Sequence, residues 1–229
     1  MNQSADLLKL AAAKSAVELV KDGMIVGLGT GSTATLAVNE IGARVKQGMR
    51  IIGVPTSERT AAQARSLGIK IVTLEEEPAL DLTIDGADQV EQPTLNLIKG
   101  YGGALLREKI VASAGKRLVI IVDESKLAPK LWTDKGVPVE IVAFGWQSAA
   151  LRIAKLGFKP VLRRTPDGEP FRTDGGNFIV DCEFDPGLSA APAAEQLDHV
   201  VGVVEHGFFI GMTSEVHIAA AAGVRVLKG

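Results

Sequence analysis

The spacing of hydrophobic positions changes repeatedly along the first half of this chain. From Leu7 to Lys21 apolar residues recur at helical intervals and stop before Gly23, which predicts an amphipathic helix. Met24 to Gly29 is a short apolar strand, and Thr30-Gly31-Ser32-Thr33 opens a second helix that closes near Gly48. The alternation continues with a strand from Arg50 to Val54, a helix capped by Ser57 and ending at Gly68, and a strand from Lys70 to Leu74. Another strand, Leu80 to Ile84, stops at Asp85. A helix from Gly102 to Ser113 and an apolar strand from Arg117 to Val122 follow. Strands alternating with helices predict an α/β fold with a mostly parallel sheet covered on both faces.

After Lys126 the texture changes, and Pro129, Trp132 and Pro138 punctuate the chain. A strand is expected from Val139 to Phe144, a helix from Gln147 to Leu156 and a strand from Pro160 to Arg163. A turn at Pro166-Asp167-Gly168 leads to a strand from Asn177 to Asp181, a helix from Pro192 to Leu197 and a strand from Val200 to Glu205. That order, βαββαβ, is the ferredoxin-like unit. The tail, Phe208 to Leu227, is expected to return to the first domain. The expected division is therefore 1–131 plus 206–229 for a larger domain, and 132–205 for a smaller one suited to oligomerisation.

Composition narrows the functional classes. At 229 residues the chain can bury a real core without disulfides or metal staples. The single cysteine, Cys182, excludes a disulfide framework within the chain and a cysteine-based zinc site, and fits a reducing, cytoplasmic compartment. Net charge is −2, with no long basic run, which argues against nucleic acid as the main partner. Met1 to Lys14 lacks the apolar core and cleavage site of a signal peptide. No apolar run approaches the roughly 20 residues of a membrane helix. Cytosolic small molecules are the expected partners.

In an open parallel sheet, ligands bind beyond the carboxyl ends of the strands. Four polar segments follow expected strands: Gly29 to Thr33, Thr56-Ser57, Asp85-Gly86-Ala87-Asp88 and Asp123 to Lys126. The first places glycines and hydroxyls before a helix N-terminus, where free N–H groups and the helix dipole favour an anion such as phosphate. It has no Lys after its last Gly, so it is not a Walker A loop. Its missing third glycine, and the absence of an acid after Val54, set it apart from a dinucleotide fingerprint. A plain Gly-rich turn is the other reading.

Asp85 and Asp88 put two carboxylates three residues apart on a tight turn. Each disfavours the other's ionisation, so the pair can hold different protonation states for acid–base work. A Mg²⁺ site and a simple Asx-type turn remain open on this pattern alone. A second Gly-rich turn, Ile98-Lys99-Gly100-Tyr101-Gly102-Gly103, carries a lysine suited to an oxyanion. Nine residues after Lys99, Glu108 could serve as a carbon-acid base if partly desolvated.

These motifs, in this order, resemble the ribose-5-phosphate isomerase family of the A type over nearly the whole chain. The resemblance rests on GLGTGSTA at 27–34, SER at 57–59, SLGI at 66–69, DGAD at 85–88, the K-G-x-G segment at 99–102 and REKI at 107–110. D-x-S-K at 123–126, PVEI at 138–141 and TDGGN at 173–177 complete it. It implies a Rossmann-like larger domain with a ferredoxin-like smaller one. It also implies isomerisation of ribose 5-phosphate and ribulose 5-phosphate through a cis-enediolate, in the non-oxidative pentose phosphate pathway. Glu108 would be the proton acceptor, Lys99 the enediolate stabiliser, and Asp85 and Asp88 the groups handling hydroxyl protons and ring opening. The substrate-binding positions would be Thr30, Gly31, Ser32, Thr33, Gly86, Ala87, Gly100, Tyr101, Gly102, Lys126 and Lys9. The family implies no metal, no organic cofactor, and a homodimer or tetramer.

Two positions depart from the family pattern. Tyr101 stands where small residues are usual, and Leu106 where Thr is frequent. The rival class is a non-catalytic sugar-phosphate sensor, which needs the phosphate loop but not the base. A nicotinamide-dependent dehydrogenase fails on the missing ribose acid. A sugar-phosphate deaminase or lactonase would usually bring a catalytic histidine, and His199, His206 and His217 all lie late in the chain, as structural or surface residues.

Overall fold

The computed structural model describes residues 3–131, 135–185 and 187–229; Trp132 and the expected domain start at residue 132 lie outside them. The chain opens with α1 (Gln3–Val17), β1 (Ile25–Leu28), α2 (Ser32–Lys46), β2 (Ile52–Pro55), α3 (Glu58–Ser66), β3 (Lys70–Ile71) and β4 (Leu82–Gly86). It continues with β5 (Gln89–Glu91), β6 (Leu97–Ile98), α4 (Leu105–Ala114), β7 (Leu118–Asp123), a 3-10 turn (Glu124–Lys126) and β8 (Leu127–Ala128). Next come β9 (Val137–Ile141), α5 (Trp146–Lys155), β10 (Lys159–Leu162), β11 (Phe178–Glu183) and α6 (Ala190–Asp198). The last elements are β12 (Val203–His206), β13 (Phe208–Phe209), β14 (Glu215–Ala220) and β15 (Gly223–Lys228).

Two compact units result. The first comprises residues up to 87, 107–127 and 211–229. Its seven-stranded sheet has the order β15-β14-β7-β4-β1-β2-β3, parallel except for the edge pair β14 and β15. Strand residues alternate between faces. Val26 and Leu28 of β1, with Leu82 and Ile84 of β4, enter one buried cluster with α1 and α2. In α2, Ala34, Ala37, Val38, Ile41 and Gly42 are the buried residues, a single helical stripe. Each fully buried Leu or Ile contributes about 1.5–3 kcal/mol relative to exposure. The intervening residues, Gly27 and Thr83, face α4: Thr83 Oγ1 donates to the Val111 carbonyl at 3.2 Å, and a Cβ at Gly27 would lie 2.7 Å from Val111 Cγ1.

The second unit comprises 88–106 and 128–210. One of its sheets has the order β10-β11-β9-β12, fully antiparallel, with α5 and α6 as the helices of the expected βαββαβ order. Val139, Ile153, Val180, Ala193 and Leu197 build its core. A second four-stranded sheet, β13-β6-β5-β8, is absent from the sequence reading, because strands of two or three residues carry no measurable periodicity.

Several boundaries depart from the sequence reading. Residues 88–106, expected in the larger domain, belong to the second unit, because β5 and β6 pair with β13 rather than with the large sheet. The C-terminal return starts later than Phe208, since β13 stays in that small sheet and only β14 joins the large one. β4 runs through Asp85 and Gly86, which pair with Ile120 and Ile121 of β7. β3 is shorter than expected, because Thr73 donates its N–H to Glu76 Oε2 and leaves the ladder. α4 begins after Gly103, whose positive φ of 80° and N–H bond to the Gly100 carbonyl form a turn. α1 ends at Val17, where Leu19 and Val20 bond three residues back instead of four.

Candidate active site

The strand order of the large sheet reverses between β1 and β4: β2 and β3 lie to one side, β7 and β14 to the other. A ligand crevice in a doubly wound sheet opens at such a point, beyond the carboxyl strand ends. The GLGTGST loop leaves β1 here and Asp85 lies near the end of β4. The two are joined directly. Thr30 donates its N–H to Asp85 Oδ1 at 3.1 Å, and Gly86 donates its N–H to the same oxygen at 2.7 Å. Asp85 is buried, as is Thr30. Asp85 Oδ1 thus accepts two backbone N–H bonds, which fixes the orientation of its carboxyl group.

The Thr30 hydroxyl is drawn into a cluster, 2.7 Å from Thr56 Oγ1, 2.8 Å from Ser57 Oγ and 3.1 Å from Thr60 Oγ1. Its side chain therefore organises the loop from inside. Gly31 has φ 120°, which glycine alone adopts without strain, and as the N-cap of α2 it offers no capping side chain. No side chain caps this helix start, a setting in which first-turn N–H groups can meet an anion. A Cβ built at Gly86 would stand 4.0 Å from Thr33 Cβ, so the acidic strand end adjoins this helix terminus.

Glu108 reaches the same end of the sheet by register. Leu80, before β4, donates its N–H to Ala114 and accepts from Lys116, so α4 ends beside the amino end of β4 and its first turn lies towards the carboxyl end. Val111 packs over Gly27 and Thr83. Glu108 is one turn earlier on the same helix face. Asp85 is two residues beyond Thr83 and shares its face of the sheet. Buried Glu108 and buried Asp85 are thereby set on the same face at the same level. Next to Glu108, Arg107 bonds Glu58 of α3 at 2.8 Å, and that hydrogen bond holds the Glu58 carboxyl below its ordinary pKa. Lys9 on α1 and Lys126 on the 3-10 turn are both partly exposed. Asp123 accepts the Ser125 N–H at 3.0 Å and its hydroxyl, shaping the turn that carries Lys126.

The second unit holds the other predicted residues. Asp88 donates its N–H to the Ile98 carbonyl at 2.9 Å, and its Oδ2 accepts the Tyr101 N–H at 2.9 Å. Lys99 is only 3% exposed; its N–H bonds the Gly207 carbonyl at 2.9 Å and its Nζ lies 5.5 Å from the Phe209 ring centroid. Such a ring face favours a cation held out of water. Gly100 has φ 108°, and a Cβ there would meet Leu105 Cβ at 2.9 Å. Tyr101 packs against the core of this unit and donates its hydroxyl to the Gly136 carbonyl at 3.0 Å. Gly102 is exposed. The sequence reading missed the supports of this turn, Gly207, Phe209 and Gly136, which come from distant segments with no local motif.

Among the described residues, Asp198, Glu205 and His206 form the one cluster with the ligand-atom spacing of a metal site. The ring suits a hydrogen bond better. His206 Nδ1 faces the Phe208 N–H at 3.3 Å, so it accepts, and Nε2–H points to Asp198 Oδ1 at 3.0 Å. A metal on Nε2 would force the remaining proton onto Nδ1, against that N–H.

A buried carboxylate at a strand end, a buried helix-borne glutamate and a helix N-terminus without a side-chain cap thus gather at the carboxyl end of an α/β sheet, where proteins of this class bind their ligands. The family model for ribose 5-phosphate isomerase A (phosphoriboisomerase A) matches residues 52–223. Ribose-5-phosphate isomerase A of Synechococcus sp. (strain JA-3-3Ab) is 56% identical over 226 residues, covering 98% of each chain. The solved structure of ribose 5-phosphate isomerase A from Methanocaldococcus jannaschii is 40% identical, with a TM-score of 0.92 over 97% of this chain and 98% of its own. A D-ribose-5-phosphate isomerase in complex with phospho-erythronic acid is 35% identical, with a TM-score of 0.94 over 100% of both chains. This chain belongs to the ribose-5-phosphate isomerase A family, aldose–ketose isomerases that interconvert ribose 5-phosphate and ribulose 5-phosphate. The Rossmann-like sheet with a smaller second unit is the fold of those solved relatives.

Proposed function

We propose that Glu108 is the base that carries a proton between C2 and C1 of open-chain ribose 5-phosphate. The observation behind this is the common face and level of buried Glu108 and Asp85 at the carboxyl end of the sheet. Glu108 takes the C2 proton, the C1–C2 double bond of the cis-enediolate forms, and the carbonyl electrons move onto O1. The O2 hydroxyl proton is passed to O1, and reprotonation at C1 by Glu108, with C2=O forming, gives the ketose. Lys99 offsets the oxyanion charge, and Asp85 and Asp88 relay hydroxyl protons and assist ring opening. The α2 N-terminus at Gly31, Ser32 and Thr33 binds an anionic group of the substrate, with Lys9 and Lys126 adding positive charge. Gly86 and Ala87 of the first unit, and Gly100, Tyr101 and Gly102 of the second, are the further substrate-binding positions of this reading.

The relative bound to phospho-erythronic acid supports this reading, because a phosphorylated sugar acid presents the two kinds of negative charge that Lys99 and the α2 terminus would meet. The reaction as written balances without a metal or an organic cofactor. Cytoplasmic location is supported by the single reduced-type Cys182, and no helix among the described residues is long and apolar enough to cross a membrane. Homodimerisation through the second unit is supported by its exposed apolar side chains, Phe144, Leu151 and Val201.

The test is a coupled assay of ribose 5-phosphate conversion, with and without prolonged EDTA treatment. Equal turnover in both is expected. Loss with EDTA that Mg²⁺ restores would turn Asp85 and Asp88 into metal ligands. Tight sugar-phosphate binding without turnover would make the chain a sensor.

A further inference from the structure

The turn that carries Lys99 is held by a residue that no motif singled out. Arg163 follows β10, and its Nη1 donates to the Gly100 carbonyl at 2.9 Å and to the Tyr101 carbonyl at 3.3 Å. The other side of the same guanidinium is occupied by Asp181 of β11, through Nε to Oδ2 at 2.9 Å and Nη2 to Oδ1. The Arg163 side chain is 14% exposed. Its main chain is fixed in the hairpin as well, the N–H bonding the Ile179 carbonyl at 2.8 Å and the carbonyl accepting from Phe171 at 2.9 Å. The Phe171 ring lies 5.9 Å from the Arg163 guanidinium carbon. Phe171 also closes on the far side of the turn, where a Cβ at Gly103 would come within 2.7 Å of its Cε1.

A planar five-donor fork can span a carboxylate and two carbonyls at once, which lysine cannot. The two carbonyls it grips flank the peptide of Tyr101, whose N–H holds Asp88 Oδ2. One side chain therefore sets the main chain next to Lys99 and, through Tyr101, the orientation of Asp88.

We propose that Arg163, charge-balanced by Asp181, is a positioning residue for catalysis: it fixes the Lys99–Tyr101 turn so that the Lys99 ammonium and the Asp88 carboxylate are aligned before substrate arrives. This rests on the reading of Lys99 as the enediolate-stabilising cation. Displacement of a reacting group by about 1 Å costs on the order of 10²-fold in rate. A lost clamp should therefore appear in kcat rather than KM.

The experiment compares Arg163→Ala, Arg163→Lys, Lys99→Met and the Arg163→Ala/Lys99→Met double variant, each checked by thermal melting. For Arg163→Ala the expected result is a kcat lower by roughly 10- to 100-fold with KM changed less than about threefold, and partial recovery in millimolar guanidinium. Arg163→Lys keeps the charge beside Asp181 but not the fork. It should melt close to the wild type and still lose kcat, which preserves the test if the alanine variant fails to fold. In the Lys99→Met background the Arg163 change should cost several-fold less than in the wild type, because the part exerted through Lys99 is already lost and only the part exerted through Asp88 remains. A folded Arg163→Lys with wild-type kcat, or losses that multiply fully in the double variant, would overturn the clamp. Normal turnover by Lys99→Met would remove the Lys99 reading itself; impaired Lys99→Met beside a normal Arg163→Lys would remove only the clamp.

Discussion

Thr30 donates its backbone N–H to Asp85 Oδ1, and the residue before it, Gly29, has no room for a side chain: a Cβ there would overlap the Asp85 carboxylate and lie 2.6 Å from Asp85 Cα. The glycine loop and the acidic strand end are one packed object. Gly29→Ala must push buried backbone apart, and overpacking of this kind costs about 1–3 kcal/mol. Its melting temperature should fall by roughly 3–10 °C for a chain of this size. Its kcat/KM should fall by more than about tenfold, since the displaced group is Asp85 itself. Wild-type values of both would mean that the loop relaxes freely.

Glu108→Gln keeps the shape of the buried side chain and removes its basicity. The expected outcome is sugar-phosphate binding near wild type, measured by calorimetry, with kcat lower by about 10²–10⁴-fold. Turnover close to wild type in a pure preparation would exclude Glu108 as the base.

His217 on β14 is buried, with Nδ1 2.7 Å from Ser15 Oγ on α1 and Nε2 3.6 Å from Glu215 Oε1. Arg117 bonds the same Glu215 oxygen at 2.6 Å. Desolvation pushes the His217 pKa below its ordinary value, outweighing the opposing pull of Glu215. The folded state therefore binds fewer protons than the unfolded state just below the ordinary histidine pKa of about 6.5, and stability drops as pH falls through that window. His217→Gln should flatten the dependence of chemical-denaturation stability on pH between about 5 and 6.5. An unchanged slope would assign the acid sensitivity to other groups.

Cys182 is fully buried in the second unit, and burial pushes its thiol pKa up. A buried thiol is a poor nucleophile. A thiol-reactive dye should label native protein far more slowly than protein in denaturant, where one equivalent reacts per chain. Rapid labelling of native protein would show that the second unit opens.

The sequence alone determined the alternation of strands and helices, the Ser57 cap, which accepts the Thr60 N–H at 3.1 Å, and the βαββαβ order, and it marked Thr30, Asp85, Lys99 and Glu108 as candidates. These features are local. Apolar periodicity, glycine at positive φ and short motifs need only their near neighbours, and are legible in one dimension. Only the tertiary structure decided that Thr30 turns its hydroxyl inward to Thr56 and Thr60, that Tyr101 packs on a core with its hydroxyl on Gly136, and that 88–106 leaves the large sheet for β13. The Arg163 grip on Gly100 and Tyr101 is of the same kind, joining positions 63 and 62 residues apart. The partner of each such group comes from a remote segment, and register and packing, not local propensity, select it.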